Sequence, residues 1–268
     1  MSQAKTQLAG VPRTMLLTLR GRADEQKQRN PLFQDLRAVE WSQSLPWDEQ
    51  LEALYNPFSQ VAWALRAHQF DQVAIRHIAN CENPLIVELG AGLSTRYYRV
   101  KQEKLHSIEL DLPEVTNFRC ELDRESDKHQ FISSSVMDFA WMNAIPQKSP
   151  ESILFISEGL LMYFEPQQVQ ELVNEMRRRF PGATWVMDVV GKNSQGTGSK
   201  YAQLEAPFLW FPQDEKEVAA LGLSLVNVWP LFQLYPQRWP FLLRSLSWLP
   251  FIRNSCLILE TKIQPLEN

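Results

Sequence analysis

The chain has 268 residues, of which 44% are hydrophobic and 22% charged, and a formal net charge of −4. That length suits one large α/β domain better than two equal ones, and the composition excludes global disorder. The acidic balance speaks against a nucleic-acid partner, which would draw on a basic field.

Residues 1–80 read as helical. Pro12 and Thr14 open a pattern on Met15, Leu16 and Leu19, and Pro31 opens another with Leu32, Phe33 and Leu36. From Pro57 onward, Val61, Ala62, Leu65, Val73, Ile75 and Ile78 recur at helical spacing. No Gly/Ser linker follows, so residues 1–80 are expected to be a helical cap on the same domain as residues 81–268. At Leu85–Val87 the texture changes to a short apolar run, broken by Gly90-Ala91-Gly92: a strand and a glycine turn. Ser94 or Thr95 then caps a helix through Tyr97, Tyr98 and Val100. Further strands are expected at Leu105–Leu110, Phe131–Ser133 and Ile153–Ile156, the last apolar on both faces as a central parallel strand should be. A helix follows from Pro166 with Val169, Leu172, Val173 and Met176, ending at Pro181-Gly182. Thr184–Met187 reads as a fifth strand, and Leu223–Val228 and Cys256–Thr261 as two more. Between them, Gly191–Ser199 reads as a loop, either a lid or a plain connection. Strand and helix in repeated alternation imply a parallel sheet with helices on both faces.

The chemistry starts at Glu88-Leu89-Gly90-Ala91-Gly92. A glycine turn between strand and helix sits at the carboxyl edge of such a sheet, where ligands bind and the backbone must come close to them. The third glycine of the phosphate-binding fingerprint is missing, because position 95 is Thr. A cofactor without a pyrophosphate has no need of it. Glu109 and Asp111, about twenty residues on at the end of the next strand, stand where an acid holds the two hydroxyls of a ribose. Turn and acid together favour a nucleoside ligand. Neither separates S-adenosylmethionine from NAD.

Ser157–Phe164, followed by Pro166, resembles the E-G-L-x-x-Y motif of the leucine carboxyl methyltransferase family, which includes polyketide-type O-methyltransferases. Three segments agree in the same order. Leu89–Arg96 is similar to the family's LGAGLDTR, and Glu109–Val115 to EVDLPEV. Val11–Phe33, with Thr14, Arg22-Ala23, Glu25 and Pro31-Leu32-Phe33, resembles its opening helices. The resemblance implies a Rossmann-like class I methyltransferase fold: a sheet of seven strands, the last pair antiparallel, with helices on both faces. It implies S-adenosylmethionine as cofactor and a methyl transfer to oxygen. By position it implies that Arg66 holds the methionine carboxylate, a match for a guanidinium fork. It likewise implies that Gly90 and Gly92, after Glu88, line the methionine and ribose, and that Asp111, with Glu109 second, binds the ribose. Ser135 and Val136 would flank the adenine, and Glu158 and Tyr163 close the pocket. Two positions depart from the pattern: Ser94 replaces an Asp, and Ser135 stands where an acid is usual, with Asp138 near enough to substitute.

Displacement from a sulfonium needs alignment more than acid–base chemistry, so a carboxylate acceptor requires no base and a hydroxyl is helped by one. His68 and Asp188 are the candidates, and no catalytic base is assigned. Arg22 and His68 are expected near the acceptor. The acceptor pocket is expected from the amino-terminal helices, Gly191–Ser199 and the insert at 229–253, whose Trp229, Phe232, Tyr235, Trp239, Phe241, Trp248 and Phe251 would suit a hydrophobic small molecule. A nicotinamide-dependent oxidoreductase and a non-catalytic S-adenosylmethionine-binding or interaction protein are the rival readings. Cys81, Cys120 and Cys256 are too far apart for a redox or metal motif, so free thiols in a reducing, cytoplasmic setting are expected and no metal is. The polar opening MSQAKTQLAG and the lack of a run of about 18 apolar residues predict neither a signal peptide nor a membrane span.

Overall fold

The computed structural model describes residues 9–146 and 148–266. Residues 1–8, on which most of the expectation about a leader rests, lie outside the described residues. A 3-10 turn, Val11–Thr14, begun by Pro12, runs directly into α1, Met15–Glu25. α2 (Leu36–Ser44) and α3 (Glu49–Leu54) each start on an aspartate cap: Asp35 accepts from Ala38 N at 2.9 Å, and Asp48 from Leu51 N at 3.0 Å. The helix expected from Pro31 therefore begins at Leu36. Its would-be first turn is used otherwise, because Leu32 packs into the core beside the sheet and Phe33 stacks near His68 at 6.3 Å. α4, Pro57–Asn80, starts on Asn56, with proline at its first position.

The alternating part follows: β1 (Leu85–Leu89), α5 (Arg96–Val100), β2 (His106–Asp111), α6 (Pro113–Leu122), β3 (His129–Ser133), β4 (Ile153–Ser157), α7 (Pro166–Arg179) and β5 (Thr184–Val190). Then come α8 (Gln195–Tyr201), α9 (Glu215–Ala219), β6 (Leu223–Pro230), α10 (Phe241–Leu246), α11 (Pro250–Arg253) and β7 (Cys256–Ile263). The seven strands form one sheet in the order β3-β2-β1-β4-β5-β7-β6. β1 to β5 run parallel, while β7 is antiparallel to both β5 and β6. This is the class I methyltransferase sheet that the resemblance implied.

Strand alternation splits the core in two. Leu85, Val87, Ile153, Phe155, Trp185 and Met187 face Val169, Leu172, Val173 and Met176 of α7. Their neighbours Ile86, Leu154, Ile156, Val186 and Ile258 face Leu65, Phe70, Val73, Ala74 and Ile78 of α4. α4 is thus a layer of the sheet. A third cluster joins α1, α2 and α3 to Trp63, Leu93, Val115 and Phe118, and so lays the first three helices beside the glycine turn.

Two expectations need correction. Gly191–Ser199 is not a loop: a 3-10 turn, Lys192–Ser194, leads into α8, and Ser194 Oγ donates to Ser255 O at 3.0 Å. The insert at 229–253 does not reach the pocket described below. Phe232 and Trp239 pack on each other (5.0 Å between centroids) and against Phe58 of α4. Phe241 and Trp248 point outward, 74% and 68% exposed. Among the described residues no helix is long and apolar enough to cross a membrane.

Candidate cofactor pocket

Where β1 ends, the glycine turn is still tied to β2: Gly90 N and Ala91 N both donate to Leu110 O, at 2.9 and 3.1 Å. Gly90 has φ +67°, and a Cβ there would meet Leu160 Cδ1 at 2.6 Å, so only glycine fits. The turn borders a cavity of about 270 Å³ at the carboxyl ends of β1, β2 and β4. α1 and the turn before it line one side, the segment after β4 another, and Tyr201 and Phe208 a third.

The cavity brings together most of the expected residues. Glu88, Gly90, Gly92 and Asp111 line it from the first two strands, Ser135 and Val136 from the segment after β3, and Glu158 and Tyr163 from the segment after β4. Arg66 reaches it from α4 and Arg22 from α1. Glu109 and His68 lie outside it. Glu109 is buried against His129 Nε2 (2.8 Å) and Arg119 Nη2 (2.7 Å). His68 Nε2 is 2.7 Å from the Tyr235 hydroxyl, and burial lowers its pKa, so the ring is held neutral away from the chemistry. Asp188 is also outside: it accepts from Gly159 N at 2.6 Å and from Arg66 Nη1 at 3.0 Å. Asp138 is exposed and accepts from Ala140 N, so it does not replace the acid missing at Ser135. Ser94 stands one residue before Thr95, the cap of α5, its hydroxyl accepting from Arg96 N and donating to Glu88.

Asp111 accepts from Gly92 N with Oδ2 (2.6 Å) and from Leu112 N with Oδ1 (2.7 Å), which leaves each oxygen a lone pair for a further donor. Burial pushes its pKa up to about 6, against the pull of those two N–H groups and of Arg119.

Beside it lies a buried lattice that the sequence reading did not assign. Arg96 binds Asp71 (3.0 Å), Glu88 and Glu158; Arg66 binds Glu158 (3.1 Å) and Asp188. Arg99 joins Asp71 (2.6 Å) to Asp35 (2.9 Å), and Asp35 reaches Arg22 at 3.3 Å. Four guanidiniums thus face five carboxylates. Burial works to raise the pKa of Glu158, but Arg66, Arg96, Arg22 and Arg99 outweigh it and hold the group at about 2. Glu88 and Asp188 go the other way, raised by burial beyond what their arginines offset. Two local signals pointed here: Asp71 interrupts the apolar run of α4, and Arg96 and Arg99 share one face of α5.

That third wall of the cavity is aromatic. Tyr201 stacks on Phe208 (5.0 Å, 18°), Tyr163 meets Phe208 edge-on at 5.2 Å, and the Tyr163 hydroxyl donates to Thr14 Oγ1 at 3.3 Å. Val11, Pro12 and Met15 complete it. Burial raises the pKa of Tyr163 and of Tyr201, so both phenols are donors at neutral pH.

The sequence pattern of leucine carboxyl methyltransferases matches residues 16–177. The tetracenomycin polyketide synthesis O-methyltransferase TcmP of Streptomyces glaucescens is 28% identical over 185 residues, covering 68% of this chain and 67% of that protein. Among solved structures, a DUF574 family protein from Streptomyces avermitilis MA-4680 superposes with a TM-score of 0.56 at 11% identity, over 81% of this chain and 90% of that one, a likeness of fold alone. The family pattern spans more than half of the sequence and runs through the glycine turn, Asp111 and Glu158: the chain belongs to the leucine carboxyl methyltransferase family, whose members are S-adenosylmethionine-dependent methyltransferases.

Proposed function

We propose that this chain transfers the methyl group of S-adenosylmethionine to an oxygen, carboxylate or hydroxyl, of a small apolar acceptor. The observation that carries this is one cavity with two kinds of wall: a charged one at the sheet edge and an aromatic one at Tyr163, Tyr201 and Phe208. The similarity to an O-methyltransferase of polyketide synthesis supports the acceptor class.

The residues fit the cofactor. Asp111 has lone pairs to spare for two ribose hydroxyls, and the glycine turn lets the backbone approach. Arg66 and Arg22 would hold the carboxylate, and Glu158 and Glu88 the ammonium, while Ser135 and Val136 would flank the base. When bound, the cofactor supplies a methyl group already activated on a sulfonium. What is left to the protein is to hold the acceptor oxygen in line and keep water out. The aromatic wall serves both ends, and the phenol of Tyr163 is neutral, its proton given to Thr14. We also read the first eighty residues and the sheet as one domain, since α4 is a sheet layer and α1 walls the pocket. The separate free cysteines fit a cytoplasmic setting.

Two measurements test this reading. In calorimetric titrations the purified protein is expected to bind S-adenosylhomocysteine and not NAD, and labelled methyl from the donor is expected in carboxyl or hydroxyl products of an acceptor screen. NAD binding in the same cavity would favour the oxidoreductase. Cofactor binding without transfer to either acceptor class would leave a non-catalytic binder. A pH series adds a signature. Asp111 is ionised above about pH 6, and hydroxyl donors favour that form. Affinity for S-adenosylhomocysteine is therefore full above that pH and weakens as pH falls through it, by about tenfold per unit once the acid form dominates.

A further inference from the structure

Behind the glycine turn, away from the cavity, a second charged cluster is buried. Arg119 of α6 is 2% exposed and binds Glu109 of β2 (2.7 Å) and Asp123 at the end of its own helix (3.1 Å). Glu109 also meets His129 of β3, and Asp123 accepts from the Tyr98 hydroxyl of α5. Trp41 and Phe131 lie 5.5 and 5.0 Å from the guanidinium and leave it little room to turn. Both carboxylates meet Nη2, so Nη1 and Nε still need acceptors. Nη1 finds one in the main-chain oxygen of Gly92 at 3.2 Å, and Nε finds none among the described residues.

Gly92 is the residue whose N–H donates to Asp111. It is therefore held on both sides, its oxygen by Arg119 and its N–H by the carboxylate that faces the cavity. At φ +52° its conformation must be imposed, because an open glycine turn has many alternatives. We propose that Arg119, anchored by Glu109 and Asp123, is a positioning residue that fixes the backbone on both sides of the Gly92 Cα and so aims the Asp111 carboxylate at the cofactor. This rests on the reading of Asp111 as the ribose-binding acid. It gives Glu109 a role through Arg119, in place of direct contact with the ribose. The positive charge acts as well: Arg119 favours the ionised form of Asp111, and Glu114 on the same helix opposes it.

The test is calorimetric binding of S-adenosylhomocysteine from about pH 5 to 8 by the full chain and four variants. Arg119→Gln is expected to weaken binding about tenfold at neutral pH and to move the pH midpoint of affinity up by about one unit, the size of a nearby charge effect. Glu109→Gln together with Arg119→Gln removes both charges of that pair, leaves Asp123 as the one carboxylate without its arginine, and should show the same two changes. Arg119→Lys returns the charge without the fork, so the midpoint should recover more than the affinity. Asp111→Asn should abolish the pH step. If the double variant folds and keeps the wild-type affinity and midpoint, Arg119 merely packs and the proposal is wrong. If Asp111→Asn instead keeps the step, the ribose reading itself fails and takes the role of Arg119 with it.

Discussion

Arg96→Met is expected to lower the thermal midpoint by about 10 °C, a larger loss than any other single side chain of the lattice should give. The residue is 1% exposed and is the common partner of Asp71, Glu88 and Glu158. Methionine replaces its volume but not its charge. Removing one member of a buried pair typically costs about 3–5 kcal/mol, because the partner is left charged in a medium that cannot solvate it. Here three partners share the loss. The pH dependence identifies the cause. Glu88 is already raised by burial, with Arg96 as its chief counterweight, and without that arginine it is raised further. A carboxylate raised in the folded state adds stability below its unfolded pKa and loses it as pH rises through the folded value. The gap between variant and wild type should therefore widen from about pH 5 to pH 8 in scanning calorimetry. In the wild type, Glu158 behaves oppositely: held at about 2, it stabilises above its unfolded value near 4.5 and loses that contribution as pH falls. A gap that stays constant with pH would mean that Arg96 matters for its shape and not its charge.

Arg66→Gln should divide two ligands that differ only at the amino-acid end. Arg66 sits between Glu158 and Asp188 and lines the cavity. If it clamps the carboxylate of the cofactor, S-adenosylhomocysteine loses a charge-assisted hydrogen bond worth about 1.5–3 kcal/mol, a factor of roughly 10 to 150 in Kd. 5′-Methylthioadenosine has no carboxylate and should bind the variant and the wild type alike. Equal losses for both ligands would show that the substitution disturbs the pocket as a whole through Glu158 and Asp188. An unchanged Kd for both would transfer the clamp to Arg22, which borders the same cavity with Nε free of any hydrogen bond.

The strands were legible because parallel strands buried on both faces read as plain apolar runs, and the glycine turn because its backbone admits little else. α6 was overlooked although Pro113 opens it and Val115 and Phe118 fall three apart on its buried face. The lattice was not legible as a whole. Arg96 and Asp71 are 25 positions apart, and Arg66 and Asp188 are 122 apart, so no local spacing announces either pair. The aromatic insert misled for the complementary reason. Its spacing is that of any packed surface, and only the tertiary contact of Phe232 and Trp239 with Phe58 shows which surface it covers. Meanwhile Tyr201 and Phe208, in a stretch to which no element was assigned, line the cavity. Glu109 and Asp111 stand two apart on one strand, yet one faces Arg119 and His129 while the other faces the cavity.

The place of β7 between β5 and β6 bears on how the protein is made. Synthesis on the ribosome delivers β6 before the strand that must separate it from β5. Until β7 emerges, β5 carries one bare edge and β6 has no neighbour at all, and unpaired edges invite pairing with other chains. Nascent chains halted after β6 are therefore the form most in need of a chaperone, and the sheet closes by insertion of its latest strand rather than by addition at its rim.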